Sequence, residues 1–493
     1  MRKRINFEKP KYFNVDPLFE LLGSLVGLAQ NIAKSSNFTF ARNFPHFAEH
    51  GSDHGEFVAK NIEAFHSFTP PSYARNSPFI TSEELRLFKI AGYLHDIGMC
   101  TSLKLLDRIN VDLKHVEQTS TESFRKNLTK MRWEFKSNIR KTFCLDESRL
   151  CYREDLFLPY PISGGDFPLH VKALKLATES VVRALHSWIS GAVLNSSWFT
   201  NEILSRNIGQ VNEELIKALA TLAEYHSSKT ELEKVREVEK MDKRMEKNVE
   251  MRKLVAILRF IDAVDVRRER AYFHKFPELI GEVLETDATQ LKHLVFKTPV
   301  KEARVRTDWN QNFIVAEIKY DLGSTYSRVD PRLLVLYSIL FEVGGNIGKD
   351  YIAFTNTLRN LGYTGIADRV ALSVAIGSRS FTLNHEAVER LKSLYREVEE
   401  NAREFSDEDF RGEIYSSFRE SLKATRMING LIYNKPELKL SPYDIVALLS
   451  QTVDSEEENN KHALEHLQEA THIGAHNIEE FYERFVDEYL RPI

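Results

Sequence analysis

A histidine and an aspartate stand next to each other where an apolar helical pattern ends, in the segment AGYLHDIGMC of residues 91–100. Imidazole nitrogen and carboxylate oxygen atoms both bind divalent metal ions. The pair has little specificity alone, because a chain with 16 histidines is expected to contain about one His-Asp dipeptide by chance. The question is therefore whether other ligand-type side chains occur in similar surroundings.

Five segments of the chain carry such side chains in or beside apolar helical patterns. An ionisable group on the core side of a helix is costly unless it is paired or bound to a metal ion. A mixture of imidazole and carboxylate groups suits Zn, Fe, Mn, Ni or Co, whereas a Mg site built from oxygen atoms would not need the histidines. The six candidate ligands, in chain order, are His54, His95, Asp96, His186, His226 and Asp262.

The elements that must position these candidates are predicted to be helices. Each candidate lies in, or at the end of, a segment whose apolar residues recur at helical spacing. In the segment that contains the His-Asp pair, Thr81 or Ser82 is the expected N-cap and Gly98 the expected end of the helix. The segments that carry candidates are 52–68, 81–98, 170–193, 212–228 and 254–271.

The character of the sequence changes near residue 290. HLVFKTPV, EARVRTDW and FIVAEIKYDL are rich in β-branched and aromatic residues and are separated by turn residues, which predicts a small β-element. From residue 329 onward the pattern is again mostly helical. We therefore predict a mostly α fold, with a helical bundle, a small β-element and a helical C-terminal region. The predicted boundaries are 1–285 with an insertion at about 101–165, then 286–330, then 331–493.

The bulk composition is that of an ordinary globular protein. Hydrophobic residues make up 42% of the 493 residues and charged residues 28%, and the net charge of −4 gives no overall attraction to nucleic acid or acidic membranes. No apolar stretch is long enough to span a membrane, and the basic N-terminal segment lacks the apolar run of a signal peptide. The three cysteines form no CxxC pair, so we expect a reducing, cytoplasmic location.

The ordered set of candidates resembles the HD superfamily of metal-dependent phosphohydrolases, in which the pattern H…HD…H…H…D runs through a helical bundle. The resemblance covers roughly residues 15–275. HGSDHGEFVAKNI and IAGYLHDIGM are similar to a bacterial branch with HGxxH and HDIGM motifs, and LRFIDAVDVRRERA is similar to the closing motif of that branch. Members of the branch are often associated with chaperone-like ATPases or conflict systems, which implies such an ATPase as a partner.

The resemblance also implies the role of each ligand. One metal ion would be held by the first histidine, the His-Asp pair and the final aspartate, and a second by Asp96 as a bridge together with His186 and His226. A carboxylate can bridge two cations with its two oxygen atoms, whereas a histidine cannot do so without losing a proton. The implied cofactor is one or two divalent ions per chain (Mn, Fe, Zn, Ni, Co or Mg), and the implied catalytic residues are Asp96, His186 and His226. Two such ions activate water and hold phosphoryl oxygen atoms.

Basic side chains near the ligands are predicted to contact a phosphorylated substrate, for which a nucleotide is the best interpretation. Arginine binds phosphate through two parallel hydrogen bonds. A salt bridge to a neighbouring carboxylate is an equally good interpretation of each arginine, as is a plain helix contact for the histidine. The residues in question are Arg183, Arg267, Arg268 and His50.

Two other functions stay open at this point. The segment RKNLTKMRWEFKSNIRK at 125–141 combines basic and aromatic residues, which is the composition of a single-strand contact and would suit an HD-type nuclease. It is also the composition of a solvent-exposed helix face. The third interpretation is a non-catalytic scaffold that binds a nucleotide or a partner protein through the C-terminal region.

Overall fold

The structure is a computed structural model of the chain. It describes residues 17–43, 51–68, 78–100, 150–152, 159–161, 186–197, 199–208, 211–228, 230–235, 249–270, 295–310, 312–323, 329–404 and 457–491. Within the predicted insertion, the described residues form a short antiparallel pair of strands, β1 (Leu150–Tyr152) and β2 (Pro159–Pro161). The basic segment 125–141 lies outside the described residues, so the structure does not bear on the nuclease interpretation.

Four helices begin the bundle: α1 (Pro17–Asn43), α2 (Ser52–Asn61), α3 (Glu63–Ser67) and α4 (Ser82–Leu94). Helix α4 begins with a capping box, as the sequence predicts. The Thr81 hydroxyl accepts a hydrogen bond from the Glu84 backbone N–H at 3.1 Å, and the Thr81 N–H donates to the Glu84 carboxylate at 3.0 Å. The helix ends at Leu94, and a short 3-10 turn, Ile97–Cys100, follows.

The bundle continues with α5 (186–194), α6 (Glu213–Tyr225) and α7 (Met251–Val264). Between α5 and α6 lie a π-helical turn, Phe199–Leu204, and a single α-turn, Ser205–Asn207. Helix α7 is buried on all sides, which identifies it as the central helix of the bundle. Its C-terminal end therefore lies inside the protein, close to the ends of the helices that surround it.

A four-stranded mixed sheet follows the bundle. It consists of β3 (Val300–Asp308), β4 (Phe313–Tyr320), β5 (Val370–Ile376) and β6 (Arg379–Leu383), in that spatial order. Strands β3 and β4 form an antiparallel hairpin, β5 runs parallel to β4, and β6 returns antiparallel to β5. Gly377 has a φ of +59° in the tight turn between β5 and β6, a conformation that favours glycine.

Helices connect the parallel strands and complete the C-terminal part. The crossover from β4 to β5 contains α8 (Pro331–Ser338), a π-helical segment (Ile339–Ile347), α9 (Gly348–Asn360) and α10 (Thr364–Ala367). After the sheet come α11 (His385–Glu404), α12 (Glu457–Thr471), α13 (Ile478–Phe485) and a final π-helical turn, Val486–Leu490. The strand–helix–strand order explains the parallel pairing, because parallel strands need a long crossover.

The bundle and the sheet share one continuous hydrophobic core. Phe354 of α9 stacks on Phe260 of α7 with the ring centroids 5.0 Å apart, and the ring of Phe65 packs edge-on against it. The outer edge of β3 is also held by the bundle, since the side chain of Asn61 accepts a hydrogen bond from the Val305 N–H. The bundle therefore covers an edge strand that would otherwise expose unpaired backbone groups.

The observed fold confirms the predicted class: mostly helical, with a small sheet and a helical C-terminal region. The predicted β-element contains β3 and β4, but the sequence pattern did not reveal β5 and β6, which lie within the predicted region 331–493. The domain boundaries stay a prediction. In the described part of the chain, no helix is both long enough and apolar enough to cross a membrane.

Candidate metal centre

The six predicted ligands come together from five helices of the bundle, at the ends of four of them. His54 lies in the first turn of α2, and the His-Asp pair follows directly after α4. His226 follows directly after α6, Asp262 lies in the last turn of α7, and His186 is the first described residue of α5. Ligands at helix ends can converge on one point from different directions, because the helices themselves pack side by side.

Two close approaches between helices bring the ligands into contact. A Cβ atom on Gly92 of α4 would lie 3.0 Å from the backbone nitrogen of Ala59 in α2, so these helices meet at a distance that favours glycine. Gly98 lies still closer to α5, where an added Cβ would be 2.4 Å from the carbonyl oxygen of His186. The Gly98 N–H also donates to the Ser190 hydroxyl at 2.8 Å, which fixes the turn after Asp96 against α5.

One end of the cluster contains two histidines and two carboxylates. The Nε2 atom of His54 lies 3.0 Å from Asp262 Oδ1, 3.6 Å from Asp96 Oδ2 and 3.2 Å from the Nε2 atom of His95. The Nε2 atom of His95 is itself 3.2 Å from Asp96 Oδ2 and 3.9 Å from Asp262 Oδ1. These distances bring together the four side chains from which the first metal site is predicted to be formed.

The other end contains the second pair of histidines. The Nε2 atoms of His226 and His186 lie 3.2 Å and 3.6 Å from Asp96 Oδ1. Asp96 therefore divides its two oxygen atoms: Oδ2 faces His54 and His95, and Oδ1 faces His186 and His226. This is the arrangement expected of a carboxylate that bridges two cations.

The hydrogen bonds of the histidines leave Nε2 available to a metal ion. Nδ1 of His95 donates to the Gly92 carbonyl at 2.9 Å, and Nδ1 of His226 donates to the Ala223 carbonyl at 2.6 Å. A carbonyl oxygen only accepts, so Nδ1 carries the hydrogen atom and Nε2 of the neutral ring presents a lone pair. The Nε2 atom of His226 is buried and makes no hydrogen bond with any described residue.

The donor set fits divalent metal ions on these grounds. Three overlapping groups of side chains could hold an ion, each with its ligand atoms within 4.8 Å of one another. The orphaned Nε2 atom of His226 and the direct approach of two Nε2 atoms are both explained if a cation lies between the ligands. The three groups are His54 with His95 and Asp96, His95 with His226 and Asp262, and Asp96 with His186 and His226.

The charges of the cluster shift the protonation of its members. Burial alone would lower the pKa of His95, but the carboxylates of Asp96 and Asp262 outweigh burial and raise the pKa to about 9. Burial would raise the pKa of Asp262, but hydrogen bonding and charge attraction from His54 and His95 hold that pKa well below its usual range. Without a cation, the cluster therefore retains a proton between its histidines and carboxylates.

Asp265 is a functional residue that the sequence reasoning did not select. Its Oδ2 atom lies 2.9 Å from Nδ1 of His54, and its side chain is buried. Arg267 binds the same carboxylate with Nε 2.6 Å from Oδ1 and Nη2 3.1 Å from Oδ2, and Arg270 donates to the Asp265 carbonyl. A carboxylate behind a histidine ligand fixes the ring and the tautomer. The only signal in the sequence was its place three residues after Asp262.

The ligands differ in their exposure to solvent. The side chains of His54, His95 and His226 are buried, whereas those of His186 and Asp262 are 20% and 27% exposed. Solvent therefore reaches the cluster at these two ligands.

Of the four residues predicted to contact a substrate, the structure describes two. Arg267 forms the salt bridge with Asp265, which was the alternative interpretation for this residue. Arg268 is half-buried, and its guanidinium nitrogen atoms lie 3.8 Å from Glu269 and 3.9 Å from Asp321. Arg183 and His50 lie outside the described residues. Substrate binding by these four residues stays a prediction.

Comparison with known proteins gives one family. The HD-CE family model matches residues 44–295, which include all six predicted ligands and Asp265. No curated protein and no solved structure matches the chain. The family match and the buried His/Asp cluster are together consistent with an HD-type metal-dependent hydrolase.

Proposed function

Because the chain belongs to the HD-CE family, we propose that it is a metal-dependent phosphohydrolase that cleaves a phosphoester of a nucleotide or nucleotide-like substrate. The observation that carries the proposal is the division of Asp96 between two pairs of histidines. A site that binds a single structural ion needs no carboxylate shared between two sets of ligands, whereas two-metal hydrolysis does.

The residues that would hold the ions are those that the family resemblance implies, and the short distances between their ligand atoms support the assignment. His54, His95, Asp96 and Asp262 would bind one divalent ion, and Asp96, His186 and His226 would bind a second. Such ions supply positive charge that acidifies water and stabilises phosphoryl oxygen atoms. The protein itself fixes the ligands: backbone carbonyls orient His95 and His226, and Asp265 orients His54.

The proposal that the substrate is a phosphoester rests on the exposed ligands that it would meet and on a positively charged arginine. His186 and Asp262 are the two partly exposed ligands, so a phosphoester that reaches them meets the ligands of both ions. Hydrolysis by activated water needs no serine or cysteine nucleophile. We keep Arg268 as a proposed phosphate contact because it follows Asp262 closely in sequence and arginine binds phosphate through two parallel hydrogen bonds.

The test combines metal analysis of the purified protein with a screen for phosphate release from nucleotides, cyclic dinucleotides and single-stranded nucleic acid. Wild type should contain one or two equivalents of metal and release phosphate from at least one phosphoester. Asp96→Ala should lose half or more of the metal and its turnover, because both sites share this carboxylate. Asp368→Ala, which removes an exposed carboxylate paired with Arg359, is the matched control. Equal metal content and turnover in Asp96→Ala would contradict the proposal.

A further inference from the structure

The first turn of α9, which belongs to the C-terminal part of the chain, lies beside the metal cluster. Helices α7 and α9 pack antiparallel: Tyr363, just after α9, donates to Glu250, just before α7, whereas Arg259 near the end of α7 pairs with Asp350 at 3.3 Å. The end of α7 that carries Asp262 therefore faces the start of α9. The C-terminal part thus packs against the helix that carries Asp262, one of the two partly exposed ligands.

Electrostatics support this proximity. Burial and the charge of Asp262 together raise the pKa of Asp350 to about 6, although Arg259 and Lys349 oppose the shift. The side chain of Asp350 therefore lies within electrostatic range of a predicted metal ligand. Its neighbour Lys349 occupies the exposed position of the same turn.

Lys349 contacts the loop that follows His226. Its Nζ atom donates to the hydroxyl of Ser228 at 3.2 Å, and this contact is exposed. The Ser228 hydroxyl is neutral, and the carboxylate that interacts electrostatically with Lys349 is that of the adjacent Asp350. Ser228 is two residues from His226 along the chain, so the ammonium group contacts the same loop that follows this predicted ligand.

The loop does not depend on this contact for its conformation. Thr230 donates its hydroxyl hydrogen to the carbonyl groups of Tyr225 and Ser227, and Arg259 donates to the Thr230 carbonyl at 3.0 Å. His226 is held separately by its own Nδ1 hydrogen bond. Lys349 can therefore exchange Ser228 for another hydrogen-bond acceptor without displacing the histidine.

We propose that Lys349 binds a phosphate oxygen of the substrate beside the metal cluster, so that α9 completes a substrate site built mainly by the bundle. The inference rests on the proposed phosphohydrolase function. Lysine binds phosphate as a compact point charge, and it does so without the fixed geometry that arginine requires. Arg267, the nearest arginine in sequence to Asp265, is already bound to that carboxylate.

The test measures binding of inorganic phosphate to the manganese-loaded full chain by isothermal titration calorimetry. Lys349→Met should weaken phosphate binding about tenfold, the loss expected for one charge-assisted hydrogen bond, with manganese content unchanged. Lys349→Arg should retain most of the affinity. Lys217→Met, which removes the same charge from an exposed residue paired with Glu213 and Glu214, should bind phosphate like wild type.

Ser228→Ala separates phosphate binding from a purely structural role. If Lys349 only tethers the loop, Ser228→Ala must weaken phosphate binding as much as Lys349→Met, and that result would overturn the inference. Equal affinity in Lys349→Met and wild type would also overturn it, with the proposed function intact. Failure of manganese-loaded wild type to bind phosphate would overturn both proposals together. Thermal melting of each variant checks that it is folded.

Discussion

Helix α7 carries a buried group of charges near each end, and the two groups differ in how their polar atoms are satisfied. Near its start, the ammonium of Lys253 donates to the Phe79 carbonyl at 2.9 Å and to the Glu84 carboxylate at 3.1 Å. In this group, hydrogen-bond acceptors of the protein satisfy the one buried cation. Near its end, Asp262 belongs to a cluster in which carboxylate oxygen atoms and histidine Nε2 atoms lie close to one another.

The difference shows which buried charges indicate chemistry. Both groups contain buried charged or ionisable side chains, namely Lys253 and Glu84 in one and His54, His95, Asp96 and His226 in the other, so burial alone does not distinguish them. In the Lys253 group every strong donor has its acceptor, and the group can be complete within the protein. In the cluster, two Nε2 atoms approach within 3.2 Å and a third makes no hydrogen bond with any described residue. A cation from solution would satisfy these atoms.

The largest effect should come from breaking the group that is already complete. Lys253→Met leaves the Glu84 carboxylate buried without its cation, so we expect a loss of about 3 kcal/mol in the free energy of unfolding. Metal content should not change, because Lys253 contacts no predicted ligand. Urea denaturation and metal analysis measure the two quantities, and Lys217→Met controls for loss of a surface charge. The double variant Lys253→Met/Glu84→Gln should recover part of the stability; no recovery would mean that the ion pair is not the cause.

A second change alters the geometry of the cluster without removing a ligand. Gly98→Ala places a methyl group 2.4 Å from the His186 carbonyl oxygen, so the turn after Asp96 or the start of α5 must move. We expect a loss of about 1–3 kcal/mol in stability together with weaker metal binding. Gly27→Ala is the control, because a Cβ atom on this helical residue meets nothing within 4 Å. Equal stability of the two variants would show that the turn is not closely packed against α5.

The ligands could be predicted from sequence because their positions follow from local patterns. Each one interrupts or ends an apolar helical repeat, and a polar residue in such a place needs a partner. Asp265 could not be selected in this way, since its role depends on the approach of His54, which is 211 residues distant along the chain. Arg267 follows the same logic: the sequence places it near Asp262, but only the structure shows that it binds Asp265.

The fold shows the same limit. Strands β3 and β4 were predicted from their β-branched residues and the turn between them. Strand β5, VALSVAI, is buried at every position, and periodicity cannot distinguish such a short apolar run from part of a buried helix. Its identity depends on pairing with β4 from a distant part of the chain.

The two aspartates at the end of α7 separate direct metal ligation from support of a ligand. Asp262→Ala should weaken metal binding more than Asp265→Ala, because only Asp262 directs an oxygen atom at the Nε2 atoms of His54 and His95. Asp265→Asn should weaken binding about 10–100-fold, the usual cost of losing the group that orients a histidine ligand. Competition with a chelator of known affinity measures both. Equal losses for the two alanine variants would mean that Asp265 is a ligand in its own right.

The smallest expected effect is the change in metal affinity with pH, and its direction is predicted. In the metal-free protein the pKa of His95 is about 9, so a metal ion must displace a proton from the cluster at neutral pH. Metal affinity should therefore rise about tenfold per pH unit for each proton released as pH increases toward 9.

The stability of the metal-free protein should change in the opposite direction. The folded pKa of His95 lies above its unfolded value of 6.5, so the stabilisation is complete below pH 6.5 and is lost as pH rises through 9. Titration of metal in buffers of different ionisation enthalpy counts the protons, and an affinity that is constant between about pH 6 and 8 would show that the cluster holds no proton to displace.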